Sequence, residues 1–356
     1  MQKQLLLAAL LLVLKTGMAQ RVISSEEVRA AAQRIEAATN SGDAGALNRF
    51  IDLDSLIGIM QQKSQALKDP GFRSGFSQPF KNSFANYGQR IVASVQRGNY
   101  RMIREYEAGG VKHLVFRMFG SGGLNYHDYT LIRVKDSIKA SDVFVYTTDE
   151  AVSSTLAKLV DMMNNSAEHL PEEVGILMKL NQQNAAKNYT GVKEQYEKLS
   201  DKYKQNKAIQ LIYITACHQL DPQLYERAIE HFANSFPDAP SAYLMMIDLY
   251  YGRKEYEKGL AAIDKLDKLI GDDKMLDLLR GNFYKLSGKR AESIACYEKV
   301  YRYDPTLSMN VHSLVGVYEE AGEKVKAKAV MASFKKTNAW HEADFSDLLA
   351  KYPDLK

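Results

Sequence analysis

Tyr126, His127, Asp128 and Tyr129, with His113 and Arg117 just upstream, are the residues of this chain best suited to moving protons. Phenol, imidazole and carboxylate groups act as general acids and bases when a fold holds them against a reacting group. They must converge to do so. The surrounding pattern is that of a strand, in which successive side chains point to opposite faces. Tyr126 and Asp128 therefore face one side and His127 and Tyr129 the other, so the set cannot share one pocket.

Other chemistries find less support. A His-Asp neighbour pair can belong to a metal site, but a bound metal needs three or more ligands, and none stands at suitable spacing. The segment Gly120 to Gly123 opens no helix, so it reads as a hairpin turn and not a phosphate cradle. No Ser, Cys or Lys nucleophile signature occurs. Tyr and Thr favour strands in any case, and His and Asp suit a solvated sheet face. The chain is expected to be non-enzymatic and without a cofactor or metal, a pocket activity around His113, Tyr126 or His127 being the alternative.

Stepping outward from these residues, four segments carry strand signatures: Tyr100 to Glu107, Val111 to Phe119, Leu124 to Val134 and Ala140 to Thr147. Gly109-Gly110, Ser121-Gly122-Gly123 and Lys135-Asp136 separate them, which predicts an antiparallel meander. Helices precede it. Ser24 with Glu27 forms a capping box before Val28, Ala31, Ala32 and Ile35 at helical spacing. A second helix is expected over Ala44 to Met60, a loop at Asp69-Pro70-Gly71, and a third helix over Phe80 to Gln96. Helices followed by a curved sheet make an α+β unit over residues 21–167.

The stretch Gly42 to Asp54 (GDAGALNRFIDLD) and the pair NYHDYTLIRV and SDVFVYTTDE resemble the opening helices and long final strands of the nuclear-transport-factor-2-like, or cystatin-like, cone fold. That resemblance implies a domain able to enclose an apolar pocket, whose enzymatic members use buried Tyr, Asp or His for proton transfer.

The second half is periodic. Gly281 to Pro305 (GNFYKLSGKRAESIACYEKVYRYDP) reads as two short amphipathic helices, with a turn at Ser287-Gly288 and a stop at Asp304-Pro305. One period of about 34 residues downstream stand Leu314, Tyr318, Gly322 and Ala327, and one upstream Tyr243, Met246, Tyr250 and Gly259. Pro237 and Pro305 lie two such periods apart, with Gly271 between them. An earlier pair, Glu172 to Ala185 and Tyr189 to Tyr203, places Val192, Tyr196 and Leu199 on one seam. Small residues such as Gly259, Ser293 and Ala327 are expected where the two helices of a hairpin cross. Tyr250, Tyr284 and Tyr318 would fill the gap to the next pair.

These residues resemble the tetratricopeptide repeat: Gly281, Tyr284, Ser293, Tyr297 and Pro305 occupy motif positions, while Arg280 stands where Leu is usual. The resemblance implies an all-α solenoid of about five repeats over residues 171–339. It also implies a concave groove, lined by the first helix of each repeat, that receives an extended peptide or a partner helix. By register the groove positions are Asn181 and Asn184, Thr215 and His218, Asp248 and Tyr251, Asn282 and Lys285, and His312 with Glu319. Only Asn181, Asn282 and Lys285 fit the clamp with which some members hold a C-terminal carboxylate. Phe345, Leu348, Leu349 and Tyr352 predict a capping helix within residues 340–356.

Residues 1–19 read as a secretory signal peptide, with Lys3 before an apolar run from Leu5 to Leu14 and small residues at Gly17 and Ala19. The run is too short for a membrane span, so none is expected after cleavage, and the mature chain would be periplasmic or secreted. The formal charge is +4. Lys3 and Lys15 leave with the leader, so the remainder is near neutral, with no field favouring nucleic acid or anionic lipid. Cys217 and Cys296 fall in different helices and read as small buried hydrophobes. The function expected is an exported scaffold that binds a protein or peptide along the repeats, the N-terminal unit adding a second contact surface or a homodimer interface. The alternatives are a small-ligand-binding or enzymatic N-terminal domain on a repeat platform, and a structural component of an envelope assembly.

Overall fold

The computed structural model describes residues 22–84, 86–95, 98–120, 123–164 and 172–356. The leader expected over residues 1–19, most of the turn expected at Ser121-Gly122-Gly123 and the boundary expected between residues 167 and 171 lie outside them.

The first unit opens with α1 (Ser25–Asn40), and its capping box forms: the Glu27 amide donates to Ser24 Oγ and the Ser24 amide to Glu27 Oε2. Val28, Ala31, Ala32 and Ile35 form its buried face. Two expectations fail next. The stretch 44–60 is two helices, α2 (Ala44–Phe50) and α3 (Leu53–Lys63), broken where Ile51 bridges Ala140 and the Asp52 amide donates to Ala140 O at 2.8 Å. The Asp52 carboxylate then caps α3 by accepting from Ser55 N. Asp69-Pro70-Gly71 is no loop. Asp69 accepts the Phe72 amide at 2.7 Å and Pro70 starts α4 (Pro70–Phe84), since proline at the first helical position loses no bond. Helix α5 (Tyr87–Ser94) follows.

Strands β1 (Asn99–Ala108), β2 (Val111–Gly120), β3 (Gly123–Val134), β4 (Ser137–Val145) and the short β5 (Glu150–Ala151) form one antiparallel sheet in sequence order. Gly109 and Gly110 take positive φ at the first turn, where a side chain would be strained. A helix unexpected from the sequence, α6 (Val152–Asn164), follows the sheet. It returns to α3 and β4, with Asp161 accepting from the Ala66 amide at 2.9 Å. The helices and one face of the sheet enclose a core that includes Leu47, Met60, Leu114, Phe116 and Tyr129.

The second half is helical: α7 (Glu172–Ala185), α8 (Tyr189–Lys198), α9 (Asp201–Lys204), α10 (Lys207–Leu220), α11 (Pro222–Ser235), α12 (Pro240–Arg253), α13 (Tyr256–Ile270), α14 (Leu276–Leu286), α15 (Arg290–Tyr303), α16 (Ser308–Glu320) and α17 (Lys324–Phe334). Helices pair as α7/α8, α10/α11, α12/α13, α14/α15 and α16/α17, and each pair packs on the next. The architecture is thus an α+β unit followed by stacked helical repeats.

Gly259 makes room for the next repeat: a Cβ there would sit 2.1 Å from the Phe283 ring of the following pair. Ser293 joins its own pair, donating to Gly281 O at 3.0 Å. Tyr250, Tyr284 and Tyr318 each carry a lysine near the ring, at 5.8, 5.9 and 5.4 Å. The tail is not one helix: a 3-10 turn (Glu342–Phe345), α18 (Ser346–Lys351) and a second 3-10 turn (Pro353–Leu355) bury Phe345, Leu348, Leu349 and Leu355 against the last pair.

Candidate functional sites on the sheet and the first helices

Alternation along β3 divides the proton-moving residues. Register pairs Arg117 with Tyr126 and Val115 with Asp128. His113, Arg117, Tyr126 and Asp128 share the face turned toward the helical repeats. There Asp128 accepts from the Tyr106 hydroxyl and lies 3.0 Å from His113 Nδ1, and His113 stacks on Tyr106. Arg117 is wholly buried (0% exposed) and forms an ion pair with Asp273, in the turn between α13 and α14. Tyr126 donates to the same carboxylate at 3.0 Å, and Arg117 Nη2 donates to Asn99 at 3.1 Å. Burial pushes the Tyr126 phenol well above its ordinary range, and Asp273 adds to the shift. Arg117, Tyr126 and Asp273, with Asn99, thus join the two units, and both Arg117 and Tyr126 are fully buried there.

Two further acids repeat that role along the same edge of the repeats. Asp149 accepts from the amide and hydroxyl of Ser241, at the start of α12, and lies 3.5 Å from Lys207, at the start of α10. Asp304, between α15 and α16, takes Arg101 and Asn99 of β1, both at 3.3 Å, while the Arg101 guanidinium lies over Tyr303. Sequence reasoning missed all three acids. Asp273 and Asp304 stand where one repeat turns into the next, which is the one local signal they carry.

On the opposite face His127 and Tyr129 join a buried polar chain. Asn125 Nδ2 lies 3.2 Å from His127 Nε2, His127 Nδ1 3.0 Å from the Tyr100 hydroxyl, and that hydroxyl 2.7 Å from Tyr129 Oη. Tyr87 completes the chain 3.3 Å from Tyr129. Burial alone holds the imidazole pKa down at about 4, so it is neutral at physiological pH. Beside this chain is a cavity of about 500 Å³ lined by Phe80, Phe84, Tyr87, Ile91, Met118, Asn125, His127, Val145, Val152 and Leu156, with Ser83 and Arg90 at its edge.

The first-helix positions fall into separate groups. Asn181 donates to Leu177 O of its own helix. Asn184 and Thr215 line a cavity of about 510 Å³ whose other wall is Asp149, Glu150, Thr155 and Lys158. His218 packs edge-on to Tyr225 of α11 at 4.8 Å and opposes the rise in the carboxyl pKa of Asp248. Asp248 is exposed, and partial desolvation raises its carboxyl pKa. Tyr251 is 46% exposed, edge-on to Phe283 at 5.7 Å, and Asn282 accepts the Tyr297 hydroxyl at 2.7 Å. Lys285 lies 3.9 Å from Glu320. His312 is engaged by the tail, with Nε2 3.1 Å from Asp347 and its ring 5.6 Å from Phe345. Glu319 is half-buried, and its Oε1 has no partner among the described residues.

Among the described residues no three His, Cys, Asp or Glu side chains gather where they could hold a metal ion, and no helix is long and apolar enough to cross a membrane. Cys217 and Cys296 are buried free thiols, and burial raises both, Cys296 to about 11.

Neither a protein-family model nor a curated protein matches the chain. Two solved structures of MamA, one of them a point mutant, align with 46% of it. They are covered over 96% and 94% of their own lengths, at 14% and 16% identity and TM-scores of 0.38 and 0.39.

Proposed function

We propose that the chain is an exported scaffold without enzymatic activity, and that its helical repeats form a tetratricopeptide-type solenoid holding a polypeptide along the first helices. One observation carries the reading. The α+β unit binds the repeats through the turns at Asp273 and Asp304 and the helix starts at Ser241 and Lys207, and leaves Thr215, His218, Asp248, Tyr251 and Lys285 exposed on three successive first helices. An exposed aromatic beside groups of both charge signs suits an extended peptide, which offers carbonyls, amides and mixed side chains. That surface ends on the chain's own segments, Asp149 to Lys158 near Asn184 and the tail near His312.

Export rests on the pattern of residues 1–19. The exposed first helices are the surface assigned to a polypeptide partner, and a homodimer through the N-terminal unit remains a separate proposal.

The test is affinity capture from the cell envelope of the source organism, read by mass spectrometry. The bait is the full mature chain or its Asp248→Ala, Tyr251→Ala, Lys285→Ala variant. A partner polypeptide retained by the parent and lost from the variant is expected, and an identical set on both would refute the groove. Fractionation of cells making the complete chain checks export, which retention in the cytoplasm would exclude.

A further inference from the structure

The polar chain beneath the sheet has a direction, and that direction says what the adjoining cavity binds. Asn125 Oδ1 accepts the amides of Tyr126 at 2.8 Å and Thr147 at 3.1 Å, so the group facing His127 Nε2 is the amide nitrogen, a donor. Nε2 must then accept, and a neutral imidazole carries its proton on Nδ1. Nδ1 donates to the Tyr100 oxygen, which leaves the Tyr100 proton for Tyr129. With the Tyr100 hydroxyl already donating to it, the Tyr129 hydroxyl has one acceptor among the described residues, the Tyr87 oxygen, and reversing that link would strand a buried donor. Each proton is thus passed on in sequence, and the Tyr87 hydroxyl ends the chain with a proton and no acceptor among the described residues.

Tyr87 lines the cavity, as does Asn125, whose second amide hydrogen is likewise a donor. The other lining residues are mostly apolar, Phe80, Phe84, Ile91, Met118, Val145, Val152 and Leu156, joined by His127, Ser94 and the exposed Ser83 and Arg90. The volume, about 500 Å³, lies within the range of small-molecule sites. Arg90 is the one cation among the described lining residues and it is exposed, so among them an anion taken to Tyr87 would meet no buried counter-charge.

We infer that this cavity is a binding site for an uncharged, mainly apolar small molecule whose one polar group is a hydrogen-bond acceptor of the carbonyl type, received by the Tyr87 hydroxyl. The site lies under the sheet and apart from the exposed first helices, so it stands or falls independently of peptide binding.

The experiment uses the full mature chain and prodan, an uncharged naphthyl ketone whose emission shifts to the blue in apolar surroundings, titrated beside the same naphthylamine lacking the ketone. Expected are saturable binding of one prodan per chain with a blue shift, and loss of binding in Leu156→Trp, which fills the cavity. Tyr87→Phe should weaken prodan roughly three- to tenfold, the worth of one net hydrogen bond, and leave the ketone-free probe unchanged. Tyr251→Ala should leave both unchanged. Binding that does not saturate, that survives Leu156→Trp or that is lost in Tyr251→Ala would overturn the assignment. So would a Tyr87→Phe effect that is absent or equal for the two probes. Should Leu156→Trp fail to fold, as read by circular dichroism, the two-probe comparison in Tyr87→Phe decides alone, because that change removes one oxygen and keeps the ring.

Discussion

Replacing Asp273 by alanine tests how the two halves of the chain are held together. In the parent its carboxylate pairs with the fully buried Arg117 and accepts from Tyr126. Removal leaves a guanidinium buried with Asn99 as its remaining partner and a phenol without its acceptor. Breaking a buried pair by deleting one member costs about 3–5 kcal/mol, and an orphaned buried donor about 1–3 kcal/mol. Both losses share one network and do not add, so about 4 kcal/mol is the expected total. The assay is urea unfolding followed by circular dichroism, with limited proteolysis at the turn 271–275. Asp273→Ala should unfold at markedly lower urea and be cut faster at that turn. The double change Arg117→Met, Asp273→Leu should recover most of the loss, because an apolar pair of similar volume demands no ion desolvation. A single variant within about 1 kcal/mol of the parent, well below the quoted cost of a broken buried pair, would refute the claim that this pair joins the units.

Gly259→Ala should destabilise by about 1–3 kcal/mol through overpacking against Phe283, whereas Gly316→Ala, whose new carbon would meet nothing nearer than 3.7 Å, should melt with the parent. Equal melting temperatures for the two variants would contradict that packing. Truncation after Asn338 removes Phe345, Leu348 and Leu349 from the last pair and should lower the melting temperature and solubility; an unchanged melt would show the tail dispensable. His127 sets an acid limit. Its folded pKa of about 4 lies below the ordinary histidine value of 6.5, so the unfolded chain takes the proton first. Stability from the neutral imidazole is complete above about pH 6.5 and is lost as pH falls toward about 4, by up to about 3 kcal/mol. His127→Gln should flatten the fall in melting temperature between those pH values, and a parallel fall in both proteins would exclude His127 as its source.

Some of this architecture is legible in the sequence because its causes are local. Tyr250, Tyr284 and Tyr318 recur in phase because each helical pair stacks on the pair before and the pair after, so a similar packing problem recurs along the chain. The division of Tyr126 and Asp128 from His127 and Tyr129 follows from the two-residue pleat of a strand. The capping box at Ser24 and Glu27 is likewise complete within four residues. The break at Ile51-Asp52 was not legible, since it exists to pair with Ala140 of a strand formed much later in the chain.

Spacing and alternation, both short-range, were enough to indicate an α+β unit followed by stacked helices, and to list which side chains a first-helix surface could offer. The tertiary structure alone decided which of those residues stay open, and that Asp149, Asp273 and Asp304 bind partners 92, 156 and 203 residues away in the chain. It also ordered Asn125, His127, Tyr100, Tyr129 and Tyr87 into one chain of donors. Periodicity records what a residue does to its neighbours along the helix or strand. Pairing between distant segments depends on how whole elements pack, and leaves no period to read.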